Sequence, residues 1–161
     1  QSIDEARRVI SELRPTMVED LGLEHGLRQY VTEVCEEQNW ESEIVTDTQG
    51  LQIAHSMEAS IFRIAQEALT NVRKHAQTQR VRVELSVEDQ SLVLRVQDWG
   101  QGFDALLIHK DESEHLGLVS MQERAQMISG VCKIESQLGA GTRVEVRIPL
   151  ASLAQRSEDG K

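Results

Sequence analysis

Residues 56–76, SMEASIFRIAQEALTNVRKHA, decide how the rest of the chain is read. Met57, Ile61, Ile64, Ala68 and Val72 recur at steps of three and four, which predicts an amphipathic helix with one apolar face. Ser56 stands where an N-cap is expected. Glu67 and Asn71 lie four apart and share a face. Arg63 and His75 extend that stripe, and Lys74 flanks it. The stripe borders the apolar face, so a carboxylate, an amide and cations sit beside a core. Such a set suits a magnesium–phosphate site, because Mg2+ takes one or two protein oxygens and completes its shell with phosphate and water. The plainer reading is a solvated helix edge with pairs of the Arg63–Glu67 kind.

Downstream, two segments alternate with period two. Val81, Val83, Leu85 and Val87 share one face, as do Leu92, Leu94 and Val96. The short connection Glu88–Gln90 predicts a hairpin. Asp98 then opens DWGQGF (98–103), followed by a polar stretch from Asp104 to Glu114. Leu118, Met121, Ala125 and Ile128 mark a helix face stopped by Gly130. VCKIESQ (131–137) and TRVEVRIP (142–149) read as the last strands, joined through LGAG. The polar tail after Leu150 is expected to be loose. Upstream, Ile3, Ala6, Ile10 and Leu13 read as the end of a helix, broken near Arg14 by Pro15. A second helical pattern runs from about Glu19 to Gln38 through Leu23, Leu27, Tyr30, Val31 and Val34. Residues 42–46, around Ile44, predict a strand, with polar loop from Thr46 to Gly50. Helices on one face of a mixed sheet give an α+β two-layer sandwich, with about five strands packed on three helices.

With 161 residues the chain suits one domain with a sizeable core. Its first residue is Gln, which suggests a piece of a longer protein. The formal net charge of -10 argues against a nucleic-acid or anionic-membrane surface. A nucleotide remains compatible, since backbone N–H groups and a metal ion can hold phosphates. Aromatics make up 3% of the chain, too few for a base-stacking platform. Cys35 and Cys132 lack metal-ligand spacing and sit in apolar-periodic stretches, so they are expected to be buried thiols in a reducing cytoplasm.

Each remaining motif has a plain reading of its own. DWGQGF fixes a carboxylate at a strand end, where it could accept a hydrogen bond from an exocyclic amine such as that of adenine. Gly100 and Gly102 would let the backbone approach a ligand. Taken alone, the motif is a tight Asp-Gly turn. HLGL (115–118) places Gly117 at the expected opening of a helix, a seat for phosphate or simply a helix start. GAGTRV could be a glycine hairpin. Their order decides: a Glu-x-x-x-Asn helix, DxGxG, a Gly-Leu helix start and GxGT before a final strand.

In this order the chain resembles the histidine-kinase-type (GHKL) ATPase superfamily, which includes gyrase, the Hsp90 chaperones and MutL. IFRIAQEALTNVRKHA looks like its N box, DWGQGF its first glycine box, HLGL its second and GAGTRV its last. LRP, LGL, EALTNVRKHA and MQERA look most like the sensor histidine kinases of two-component systems, in the subfamily of the nitrate sensors and DesK. The resemblance implies the Bergerat sandwich over residues 15–150, preceded by the end of a dimerisation and phosphotransfer helix at 1–14 and followed by a tail at 151–161.

The resemblance also implies roles. Asn71 would coordinate Mg2+ and Glu67 would be the catalytic general-base candidate. Lys74 would reach the phosphates of ATP and His75 would line the nucleotide. Asp98 would read the adenine amine, in a pocket shaped by Gly100 and Gly102. His115, Leu116, Gly117 and Leu118 would form the lid hinge and phosphate cradle, and Thr142 would line the adenine pocket. The implied activity is transfer of the ATP γ-phosphoryl to a histidine on the protein's own dimerisation domain, then to an aspartate of a response regulator. A homodimeric parent is implied, with this domain in the cytoplasm, free or as part of a membrane-bound sensor. Two departures stand out. Glu114 occupies the place where the second glycine box begins with Gly. The phosphoacceptor histidine is missing, since His25, His55, His75, His109 and His115 all lie in other contexts. The rival reading is an ATP-hydrolysing conformational switch of the gyrase or chaperone kind. The short span from Phe103 to Glu114 argues against it.

Overall fold

A computed structural model describes residues 16–104 and 112–155 of the chain. The helix read at residues 1–14 and the end of the tail lie outside the described residues. Helix α1 spans Thr16–Gln38. The expected helix ran from Glu19 without a break. The observed one is interrupted at Gly22 (φ 79, ψ 167), a backbone state that favours glycine. The interruption frees the N–H of Leu23, and the buried carboxylate of Glu58 accepts it at 2.9 Å.

Strand β1 (Glu41–Asp47) is longer than the sequence suggested, because parallel pairing with β2 continues through Asp47 opposite Ser86. Asp47, read only as loop, therefore belongs to the sheet, as does Thr46, where the two readings met. Helix α2 (His55–Asn71) carries the expected apolar face, with Met57, Ile61, Ile64 and Ala68 buried. Ser56 is not its cap: the N-cap is Ala54, which makes no side-chain capping bond, and its carbonyl receives the N–H groups of Met57 and Glu58. The helix does not stay α-helical to Ala76. Residues Val72–Ala76 form a π turn ending on Gln77 in the left-handed region (φ 52), and such turns concentrate at functional sites.

Strands β2 (Arg80–Glu88) and β3 (Ser91–Asp98) form the predicted hairpin. Its turn residues Asp89 (φ 48) and Gln90 (φ 61) both have positive φ, which matches the twist of the strands they join. Helix α3 (Glu112–Met127) is followed by β4 (Val131–Gln137), β5 (Gly141–Pro149) and a short helix α4 (Leu150–Gln155). The last element corrects the expectation of a loose tail: Leu153 is 1% exposed, so burial of an apolar side chain orders the start of that polar stretch.

Among the described residues the strands make one mixed sheet in the order β1-β2-β3-β5-β4, parallel only between β1 and β2. Helices α1, α2 and α3 cover one face and bury the alternating apolar residues of β2, β3 and β5 together with Phe62, Leu27 and Met121. The opposite face carries charge. Arg95 pairs with Glu88 at 2.6 Å and with Glu145 at 2.7 Å, and Arg143 and Arg147 each reach Glu145 at 2.9 Å. Val93, in register with Ser86 and Arg147, is fully buried on this side, beneath the charged layer. Antiparallel pairing sets the C-terminal end of β3, with Asp98, beside the start of β5 and opposite Val81 of β2.

Candidate functional site

A cavity of about 120 Å3 opens where α2, its π turn, the end of β3 and the start of β5 converge. That is far more room than one water needs. Asn71, His75, Asp98, Gly102, Leu118 and Thr142 line it, six of the residues singled out in the sequence. The rest of the wall is largely apolar, from Ala68, Val72, Val96, Phe103 and Val144.

Asp98 is the polar centre of this wall. It is 3% exposed. One carboxylate oxygen accepts the N–H of Gly100 at 2.8 Å, and the backbone N–H of Thr142 also donates to the carboxylate. Burial pushes the carboxyl above the ordinary aspartate range, and these two N–H groups oppose that shift. A buried carboxylate with unused lone pairs facing a cavity selects a ligand group that donates hydrogen bonds.

The two glycines of DWGQGF serve close backbone packing. A Cβ on Gly100 would stand 2.2 Å from the carbonyl oxygen of Ala76, and one on Gly102 (φ 62) would stand 2.1 Å from that of Gln137. The sequence reading expected both glycines to turn the backbone, approach a ligand and shape the pocket; the atoms nearest these Cβ positions belong to other parts of the protein, and Gly102 also lines the cavity. Gln101 ties the loop further. Its N–H donates to Ala76 O at 2.7 Å, its side-chain amide donates to His75 O, and its own carbonyl receives the N–H of Gly139 at 2.7 Å. The first glycine loop is thus joined to the π turn on one side and to the LGAG loop on the other.

Glu67 and Asn71 stand together at the end of α2 nearest α3. A Cβ on Gly117 would lie 2.7 Å from Oε1 of Glu67 and 3.5 Å from Oδ1 of Asn71. Helix α3 begins at Glu112, five residues ahead of Gly117. Gly117 therefore does not open the helix, and its N–H is not one of the free donors of a first turn. What it provides is the close approach of α3 to the carboxylate and amide. Lys74 is exposed and stands outside the cavity wall. The side chains of Glu114, His115 and Leu116 lie outside the described residues.

No group of three or more His, Cys, Asp or Glu that could cage a metal occurs among the described residues. The amide oxygen of Asn71 with the neighbouring Glu67 carboxylate fits an ion held mainly by phosphate and water, as Mg2+ prefers. Cys35 and Cys132 are buried free thiols. Burial raises both, Cys132 to about 11, so neither is poised as a nucleophile.

Sequence reasoning passed over Gln101 and Ser136. Gln101 sat at a variable place within DxGxG. Ser136 left a signal: β4 turns Cys132 and Ile134 inward, and Ser136 is the polar residue in that series.

The family described as "Histidine kinase-, DNA gyrase B-, and HSP90-like ATPase" matches residues 57–152. The signal transduction histidine-protein kinase/phosphatase DegS of Bacillus subtilis (strain 168) is 33% identical over 142 residues, covering 86% of this chain and 37% of that protein. The sensor histidine kinase LiaS of the same organism is 37% identical over 147 residues, covering 91% of this chain and 39% of its own. The chain thus spans about two fifths of the length of these relatives. Among solved structures, the histidine kinase domain of the blue-light activated histidine kinase of Erythrobacter litoralis superposes with a TM-score of 0.71 at 20% identity, over 86% of this chain and 66% of that one. At that identity the likeness concerns the fold.

Proposed function

Because this chain belongs to the family of histidine kinase-, DNA gyrase B- and HSP90-like ATPases, we propose that it is the ATP-binding catalytic domain of a two-component sensor histidine kinase. The observation that carries this reading is the buried Asp98 in a largely apolar cavity where the separate sequence motifs meet. Asp98 accepts the adenine amine, and Gly102, Thr142 and His75 shape the slot around the base. Asn71 holds Mg2+, which when bound neutralises charge on the phosphates. Lys74, on the exposed side of the π turn, reaches toward the phosphates, while Gly117, Leu118 and the segment with His115 and Leu116 close over them. Glu67, half-buried beside Asn71, takes a proton from the acceptor imidazole as its other nitrogen meets the γ-phosphorus. Catalysis is then chiefly positioning and charge stabilisation.

The acceptor histidine belongs to the protein's own dimerisation domain, and the phosphoryl group passes on to an aspartate of a response regulator. The names of DegS and LiaS support the kinase assignment, and the close packing of α3 on Glu67 and Asn71 supports their shared role. The parent acts as a homodimer in the cytoplasm. Among the described residues no helix is long and apolar enough to cross a membrane.

Mixing the chain with labelled ATP and the parent's two-helix segment tests this. Acid-labile label should appear on the helices, slowly and in proportion to acceptor concentration, because separated domains lack the millimolar effective concentration of tethered ones. Label on the chain's own histidines would contradict the missing acceptor. Rapid ATP turnover with unlabelled helices would turn the assignment toward a hydrolysing switch.

A further inference from the structure

We propose that Ser136 is a positioning residue for the adenine end of the cavity, locking two glycine loops together through one hydroxyl. This rests on the nucleotide-site reading above. Ser136 does not line the cavity. Its Oγ accepts the N–H of Phe103 at 2.9 Å, lies 2.8 Å from Thr142 Oγ1, and lies 3.2 Å from the carbonyl oxygen of Gly141.

A hydroxyl has one proton and two lone pairs. Gly141 O can only accept, and Phe103 N–H can only donate. The arrangement that satisfies every partner has Ser136 donating to Gly141 O and accepting from Phe103 N–H and from the Thr142 hydroxyl. Its capacity is then fully used. Ser136 and Thr142 are directly opposite in the β4–β5 register, where cross-strand hydroxyl pairs are favourable. Thr142 in turn donates its backbone N–H to Asp98. One continuous set of bonds therefore runs from the loop at Phe103 through Ser136 and Thr142 to the carboxylate. None of these bonds reaches Glu67, Asn71 or Gly117, so Ser136 governs the base end of the site and leaves the phosphate end alone.

Removing the hydroxyl strands the Phe103 N–H and lets the Thr142 side chain rotate. Ser136→Ala should weaken adenosine and Mg-ATP by the same factor, about 3- to 10-fold, the scale of one net hydrogen bond. The Mg2+ dependence should not change. In the transfer assay KM for ATP should rise while the rate at saturation holds. Ser136→Cys, nearly isosteric and a weak hydrogen-bonding group, should fold and show the same loss, while Ser136→Thr restores most of the affinity. Glu58→Gln serves as a control, since it alters a buried bond to Leu23 N–H that lies outside the site; it should lower Tm and leave adenosine affinity alone. Ser136→Ala and Ser136→Cys proteins that lose Tm yet bind adenosine as the parent does would overturn the proposal. So would a change in Mg2+ dependence as large as the change in adenosine affinity. Wild-type protein that binds neither adenosine nor ATP would instead remove the nucleotide-site reading beneath it.

Discussion

The two polar regions of this domain differ in how far their groups are satisfied from within. On the open face of the sheet, Arg95, Arg143, Arg147, Glu88 and Glu145 answer one another. Their ion pairs hold the Glu145 carboxyl down to about 2 and raise Arg95 above its ordinary value. In the cavity, Asp98 is pushed the other way by burial, and among the described residues its carboxylate receives two backbone N–H groups, from Gly100 and Thr142. A charge network closed on itself spends its interactions on the fold. A buried group left with spare capacity is available to a ligand.

Variants at the two regions should therefore separate activity from stability. The largest effect is expected for Glu67→Ala, which should cut transfer in trans by about 10²- to 10⁴-fold, the usual worth of a general base. Asn71→Ala should abolish the Mg2+ dependence of ATP binding with the fold intact; titration with and without Mg2+ checks this, and an unchanged dependence would remove Asn71 from the metal site. Asp98→Asn should weaken ATP by about 1.5–3 kcal/mol through loss of a charge-assisted bond, while inorganic triphosphate is unaffected. Calorimetry with a slowly hydrolysed analogue measures it. Wild-type-like affinity would reduce Asp98 to a turn residue.

Arg95→Met should do the opposite. Losing its partly exposed pairs should cost about 1–2 kcal/mol of stability, a Tm drop of a few degrees, with ATP affinity unchanged. A loss of affinity there would break the division between the regions. The smallest effects are in pH. Glu145 is depressed from 4.5 to about 2 in the folded state, so its contribution is present above about pH 4.5 and fades as pH falls toward 2. Asp98 is raised, so its charged form costs stability at neutral pH and that cost is relieved on acidification below its folded value. Urea unfolding across this range should show the gap between wild type and Arg95→Met narrowing as pH falls. Over the same fall in pH, wild type should gain stability relative to Asp98→Asn, where it loses stability relative to Arg95→Met.

Much of this division was legible in the residues. The 3.6-residue repeat of 56–76 and the alternation in 81–96 placed α2 and the β2–β3 hairpin, because side-chain direction follows directly from helical and strand geometry. Asp98, Asn71, His75 and Thr142 could be proposed as one site through the order of their motifs. Local signals failed where a distant contact decides. Ser56 looked like a cap, yet the chain enters α2 through Ala54. Asp47 looked like loop, yet β2 holds it in the sheet. The tail looked polar, yet Leu153 finds the core. Gly117 looked like a helix start, yet α3 begins a turn and more before it.

Sequence by itself determined which residues alternate, which share a helical face and which carry chemistry, since these depend on neighbours along the chain. Tertiary structure decided which polar groups are used up. Both Glu145 and Asp98 are carboxylates on strands of one sheet, and although DWGQGF marks Asp98 as the end of its strand, neither local sequence says which partners will surround the carboxylate. Glu145 falls on the face where three arginines converge, and Asp98 is carried to a strand end before Gly100, where burial removes water and, among the described residues, two backbone N–H groups donate to it. Whether a charge is spent or available depends on its surroundings in space, which pairing across the sheet sets and the linear order does not.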